Sequence, residues 1–296
     1  MRHWRGRAAT LIFTPRCHTG SRVRGEFLDL SGARIYYYAA GTRGAGVPVV
    51  FLHGFPTSSH LWGDVVPLMP RGHRLVVIDL LGYGRSDRPM SHAVDIAAHA
   101  ERTVALFDEL RIERACVVGH GIGGGIAQTV AVRHAVRVSH LCLIDSVALD
   151  DRPILGGRLA RGVLPVVRFL PAKLLLALIH RDLSRGYNER ARADHSIDLY
   201  LRPFGDAAGR EALVAHIRAI SNDEVAEVAR ELAAISCPTS VIWGQHDRLT
   251  PSSIGRRLQA AIPGATLDVI AGARHFTPEE SPRKIADAIA SLLERT

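Results

Sequence analysis

The sequence predicts one α/β domain built on a mostly parallel sheet, with a helical block inserted near its middle. Three observations carry this reading. Short apolar runs alternate with amphipathic helical segments through the first half, and a glycine-rich turn joins one such run directly to a helix. The strand signals then stop near residue 146 and resume after residue 235. A chain of 296 residues that is 47% hydrophobic has enough apolar side chain to bury such a core.

In chain order, residues 27–30 and 34–40 read as opening strands, and residues 47–52 form an apolar run ended by His53-Gly54. Residues 60–69 are expected to be helical and 74–79 a strand. Residues 94–110 place Ile96, Ala100, Val104, Phe107 and Leu110 on one helical face. A strand over 115–118, a helix over 122–134 and a strand over 141–145 continue the alternation, so parallel strands joined by crossover helices are the economical reading. Residues 147–234 are mostly helical in pattern, broken at Pro165, Pro171 and Pro203, before strands return at 239–244 and 266–270. Both flanks are needed to complete one eight-stranded sheet. The predicted organisation is therefore a core of residues 26–146 and 235–296 with residues 147–234 as a lid, placed over the carboxyl ends of the strands where open sheets bind ligands.

The formal charge of +8 points first to nucleic acid, but residues 1–25 hold Arg2, Arg5, Arg7, Arg16, Arg22 and Arg24 and no acid, which leaves the rest near +2. No basic stripe with interleaved aromatics follows, so nucleic acid is excluded as an expected partner. The basic start reads as a disordered tail. No stretch of about 20 apolar residues free of charge or proline is found, so no membrane span is expected. Cys17, Cys116, Cys142 and Cys237 show no C-x-x-C spacing, and two of them sit in apolar runs, which favours a reducing, cytoplasmic setting over a disulfide framework or zinc site.

Four motifs follow in order: His53-Gly54-Phe55-Pro56, then Asp79-Leu80-Leu81-Gly82-Tyr83-Gly84-Arg85-Ser86, then Gly119-His120-Gly121-Ile122-Gly123, then Asp247 with His275. Each is weak alone. Together, from about residue 26 to the end, they resemble the α/β-hydrolase superfamily, and most nearly its epoxide hydrolase and haloalkane dehalogenase branch. The resemblance implies an α/β-hydrolase fold in which the third motif is a strand–turn–helix elbow that presents a nucleophile at position 121. Here that position is Gly121, which has no side chain to attack a carbonyl or epoxide carbon, so covalent catalysis by the family route is not expected.

The same resemblance implies an oxyanion hole from the backbone N–H groups of Phe55 and Ile122, with His53 and Gly54 forming the oxyanion loop. It assigns Asp247 and His275 as acid and base, with Asp145 as the runner-up acid. A carboxylate fixes one imidazole nitrogen as N–H and leaves the other free to take a proton near neutral pH. Phe55 departs from the dehalogenases, which carry a halide-binding Asn there. Tyr187 and Tyr200 fall in the lid, where epoxide hydrolases use two tyrosines, although packing is the commoner role for such residues. Asp79, Arg85 and Ser86 are expected to brace loops.

Three readings follow. The first is an enzyme that acts through the histidine–aspartate dyad and the oxyanion hole on a small or medium hydrophobic ester, epoxide or carbon acid. The second is a catalytically silent ligand-binding protein. The third is an ordinary hydrolase that has lost its Asp or Ser nucleophile. The apolar run at 163–179 suits a hydrophobic small-molecule partner. No metal or organic cofactor is implied.

Overall fold

The computed structural model describes residues 24–42, 46–88, 91–148, 170–219 and 222–296. Most of the basic start, residues 149–169 of the inserted block, Pro165 and Cys17 lie outside the described residues. Eight strands form one sheet: β1 (Gly25–Leu30), β2 (Ala33–Gly41), β3 (Val49–Leu52), β4 (Arg74–Ile78), β5 (Ala115–His120), β6 (Val138–Ile144), β7 (Thr239–Gly244) and β8 (Thr266–Ile270). They lie in the order β1-β2-β4-β3-β5-β6-β7-β8. β2 pairs antiparallel with β1 and β4, and every pair from β4 to β8 is parallel.

β3, β5 and β7 are buried at every position. A strand covered on both faces has no solvent side to alternate with, which is why Val-Val-Phe-Leu and Ala-Cys-Val-Val show no period of two. Register then sets where the loops emerge. Leu52 pairs with Gly119, His120 with Ile144, Ile144 with Ile242, and Gly244 with Ile270, so the connections after five strands leave from one edge of the sheet.

The described helices are α1 (Ile96–Glu109), α2 (Ile122–Arg133), α3 (Ala172–Leu183), α4 (Arg190–Leu201), α5 (Ala207–Ala219), α6 (Asn222–Ala229), α7 (Ser252–Ala261), α8 (Thr277–Glu280) and α9 (Pro282–Leu293). α1 starts where the Asp95 side chain accepts the Ala98 N–H at 2.7 Å, and it buries Ile96, His99, Ala100, Thr103, Leu106 and Phe107 as one stripe. The helix expected over 60–69 is instead two 3-10 turns, Ser59–Trp62 and Val66–Leu68, because Gly63 and Pro67 interrupt the run and Pro67 has no N–H for an α-helical bond. β3 starts two residues later than expected, after Pro48. Pro171 and Pro203 do mark boundaries: the first caps α3, and the second lies in the 3-10 turn between α4 and α5. None of the described helices is long and apolar enough to cross a membrane.

The inserted helices rest on the carboxyl-edge loops. Arg88 Nη1 donates to Pro203 O at 2.9 Å, and His216 of α5 lies against Tyr83 with ring centroids 4.0 Å apart. His99 of α1 stacks beyond, 6.2 Å from His216. Burial disfavours the imidazolium of both, holding His99 well below the usual histidine range and His216 down at about 3. A group whose folded pKa is depressed contributes stability that is present above its unfolded pKa, near 6.5, and lost as pH falls towards the folded value. Between pH 7.5 and 5, denaturant midpoints should therefore show wild type losing about 2 kcal/mol relative to His216→Phe. Equal losses in the two proteins would contradict a neutral, buried His216.

Candidate active site

Gly121 forms the turn between β5 and α2, with φ 57° and ψ −123°. Its N–H donates to Ile144 O at 3.2 Å, and its carbonyl accepts from Gly124 N and Val147 N, so neighbouring strands fix the turn. This backbone region costs a side chain about 1–2 kcal/mol, which glycine avoids. The helix can start so abruptly because Gly123 lies against β3: a β carbon there would come within 2.3 Å of Leu52 O. At Gly121 itself space is open. A β carbon would meet Gly54 Cα at 3.5 Å and His275 Nε2 at 4.0 Å, and nothing nearer.

The loop after β3 is held by His53. Its Nε2 accepts the Leu80 N–H at 3.0 Å, so Nδ1 carries the hydrogen and donates to Gly54 O at 2.8 Å. Burial keeps this imidazole below its ordinary pKa, in the neutral form that the two bonds require. Thr57 Oγ1 also donates to Gly54 O, at 2.9 Å. Behind the loop, Asp79 accepts from Ser59 N–H at 2.6 Å and Arg85 N–H at 2.9 Å, while Ser86 Oγ donates to Asp79 O. These are bracing bonds. The N–H groups of Phe55 and Ile122 have no intramolecular acceptor among the described residues.

His275 follows β8 and Asp247 follows β7. His275 Nδ1 lies 2.8 Å from Asp247 Oδ2 and must donate to it, since a carboxylate only accepts. Nε2 is left with its lone pair in the neutral ring and faces Gly121. Asp247 Oδ1 accepts from Leu249 N–H and Thr250 N–H at 2.7 and 2.9 Å, and Thr250 Oγ1 donates to Oδ2 at 2.6 Å. Burial works against both charges. The charge and hydrogen bond of Asp247 nonetheless hold His275 above its ordinary pKa, and His275 with the Thr250 donors holds Asp247 below the carboxylate range.

Asp145, the runner-up acid, makes no bond to His275. Its Oδ1 accepts from Gly244 N–H at 2.7 Å and its Oδ2 from Thr277 Oγ1 at 2.6 Å, which ties β7 and α8 to the end of β6. Burial, then the nearby Asp247 charge, pushes its pKa well up. Sequence reasoning also passed over the supports of His275. His120 donates from Nε2 to His275 O at 2.9 Å and packs its ring 4.8 Å below; burial holds it near 3 and therefore neutral.

Tyr187 and Tyr200, the expected lid contacts, are both buried and both donate their hydroxyls to Glu279. The Tyr187 ring stacks on Phe276 at 4.2 Å. Both hydroxyls are committed to a carboxylate, an arrangement in keeping with the packing role that is the commoner one for such residues. A crevice of about 420 Å³ adjoins this cluster, lined by His60, Asp64, Arg192, His195, Ser196 and Glu279. It does not include His275 or Gly121, and residues 163–169 of the apolar run expected to line a substrate chamber lie outside the described residues.

Two outcomes follow. In Asp247→Asn, where burial acts without the compensating charge, the His275 titration followed by NMR should move from above 6.5 to below it. Gly121→Ala should fold with a loss of about 1–2 kcal/mol in denaturant unfolding, the cost of its backbone angles in the absence of a clash.

The chain is similar in sequence and fold to known proteins. The sequence profile of the alpha/beta hydrolase fold matches residues 47–282. Haloalkane dehalogenase 2 of Mycobacterium bovis is 31% identical over 283 residues, which cover 89% of this chain and 93% of the relative. The 2-hydroxymuconate semialdehyde hydrolase of Pseudomonas putida is 28% identical over 260 residues, covering 85% and 88%. Among solved structures, an alpha/beta hydrolase fold protein from Burkholderia ambifaria matches with a TM-score of 0.79 and 28% identity, over 90% of this chain and 100% of that one. With the family profile spanning most of the chain and the eight-stranded sheet in place, this protein belongs to the α/β-hydrolase family.

Proposed function

We propose that the protein is a hydrolase-family enzyme that works without a covalent intermediate. His275, oriented by Asp247, takes a proton from a water or from a substrate carbon acid, and the Phe55 and Ile122 N–H groups receive the negative charge that develops on oxygen. The observation that carries this reading is the free Nε2 of His275, aimed at the space where position 121 has no side chain, with 4.0 Å between Nε2 and the site a β carbon would occupy. That gap suits a water or a substrate atom lying against the base.

The substrate class is a small or medium, mainly hydrophobic ester, epoxide or carbon acid. Dehalogenation is not part of the reading, because Gly121 supplies no carboxylate to displace halide. A reducing, cytoplasmic setting is part of the proposal, on the absence of C-x-x-C spacing in the sequence. A restored-nucleophile reading has its own support: the open space at position 121 accepts a β carbon at the cost of backbone strain alone.

The test compares wild type, His275→Ala and Gly121→Asp on one panel of aryl esters, epoxides and activated ketones. The expected result is wild-type turnover that falls at least about 100-fold in His275→Ala, the scale of a lost general base. Turnover confined to Gly121→Asp would overturn the noncovalent mechanism for those substrates and identify a site lacking only its nucleophile. Saturable binding of the same compounds with no turnover in any of the three would favour a binding protein.

A further inference from the structure

Glu279 lies in α8, four residues beyond His275, at 3% exposure, and the inserted block closes on its carboxylate. Tyr187 Oη donates to Oε1 at 3.0 Å, Ser196 Oγ donates to Oε2 at 2.5 Å, and Tyr200 Oη donates to Oε1 as well. Arg192 Nε lies 3.6 Å from Oε2. The same arm holds the backbone on both sides of His275. Gly186 O accepts the N–H groups of His275 and Phe276 at 3.1 and 3.3 Å, Arg274 Nη1 donates to Tyr187 O at 2.6 Å, and Asn188 Nδ2 donates to Gly272 O at 2.7 Å.

The His275 backbone N–H is therefore held by the inserted arm and not by the sheet. Residues 271–276 belong to no helix or strand; His120 of β5 holds the His275 carbonyl at 2.9 Å, and the arm holds the N–H side. A base must be held within a fraction of an ångström of its working geometry, and hydrogen bonds to a carboxylate in a water-poor setting are the stiffest ties on hand. Removing the carboxylate would leave three buried hydroxyls without their acceptor.

We propose that Glu279 is a positioning residue: its carboxylate ties the arm of residues 186–200 to the loop carrying His275, so that the imidazole is aimed at Gly121 only while that arm is seated. This stretch of the inserted block is then part of the base's mounting, and lifting it away would disengage His275 from Asp247. The proposal rests on the reading of His275 as the working base for its catalytic meaning, but its geometry can be tested without a substrate.

The experiment is an NMR titration of the His275 ring in wild type, Glu279→Ala and Glu279→Gln, with folding checked by circular dichroism. The midpoint should fall by about one pH unit in Glu279→Ala, as the bond to Asp247 loosens. It should stay at the wild-type value in Glu279→Gln, whose amide oxygen still accepts from both tyrosines. A folded Glu279→Ala with an unchanged midpoint would overturn the proposal, as would a Glu279→Gln shift equal to that of Glu279→Ala, which would make charge the cause. If Glu279→Ala does not fold, Tyr187→Phe combined with Tyr200→Phe keeps the rings and removes two ties, and the same fall is expected. Because the imidazole itself is observed, failure of the tie and failure of the catalytic reading are read separately.

Discussion

The hydrogen bond from His275 to Asp247 is the interaction on which the site depends. It spans 2.8 Å between two side chains that would each be neutral if burial alone decided their state. Their mutual attraction works against burial for both partners, raising the pKa of His275 and lowering that of Asp247, and the two N–H groups and one hydroxyl around Asp247 secure the carboxylate in its ionised form. The consequence is directional: with Nδ1 committed, the lone pair of the neutral ring is at Nε2, and Nε2 faces Gly121.

Everything else in the core serves to bring five loops to the same place. Parallel strands in register release the loop of residues 53–57, the turn at Gly121, Asp145, Asp247 and His275 along one edge, and buried polar side chains then lock the loops together. His53, Asp79 and Asp145 act in this way, each accepting or donating between two segments far apart in sequence. At Gly121 the two demands on an elbow separate. Its backbone geometry is met more easily by glycine than by any residue with a side chain, whereas covalent chemistry requires one. The chain keeps the geometry and leaves a gap beside the His275 imidazole.

Much of this was legible in the sequence. The succession of strands along the chain follows from local apolar runs and turns, whereas the elbow at Gly121 and the pairing of Asp247 with His275 were implied by the resemblance that short motifs carry, the residues themselves lying at strand ends. What was not legible was long-range. Nothing near Tyr187 or Tyr200 reveals that both hydroxyls meet Glu279 some 80 to 90 residues later, and the only local hint is the spacing of four between His275 and Glu279. The helix expected at 60–69 failed for a local reason, since Gly63 and Pro67 outweighed the apolar spacing.

The central claim is that water or substrate is activated by His275 with no bond formed to the protein. Intact-protein mass spectrometry during turnover in ¹⁸O-labelled water tests it most directly. The account predicts labelled oxygen in the hydrolysis product while the protein mass stays unchanged at every time point. An acyl or alkyl adduct on the protein, or label incorporated into one of its carboxylates, would contradict it.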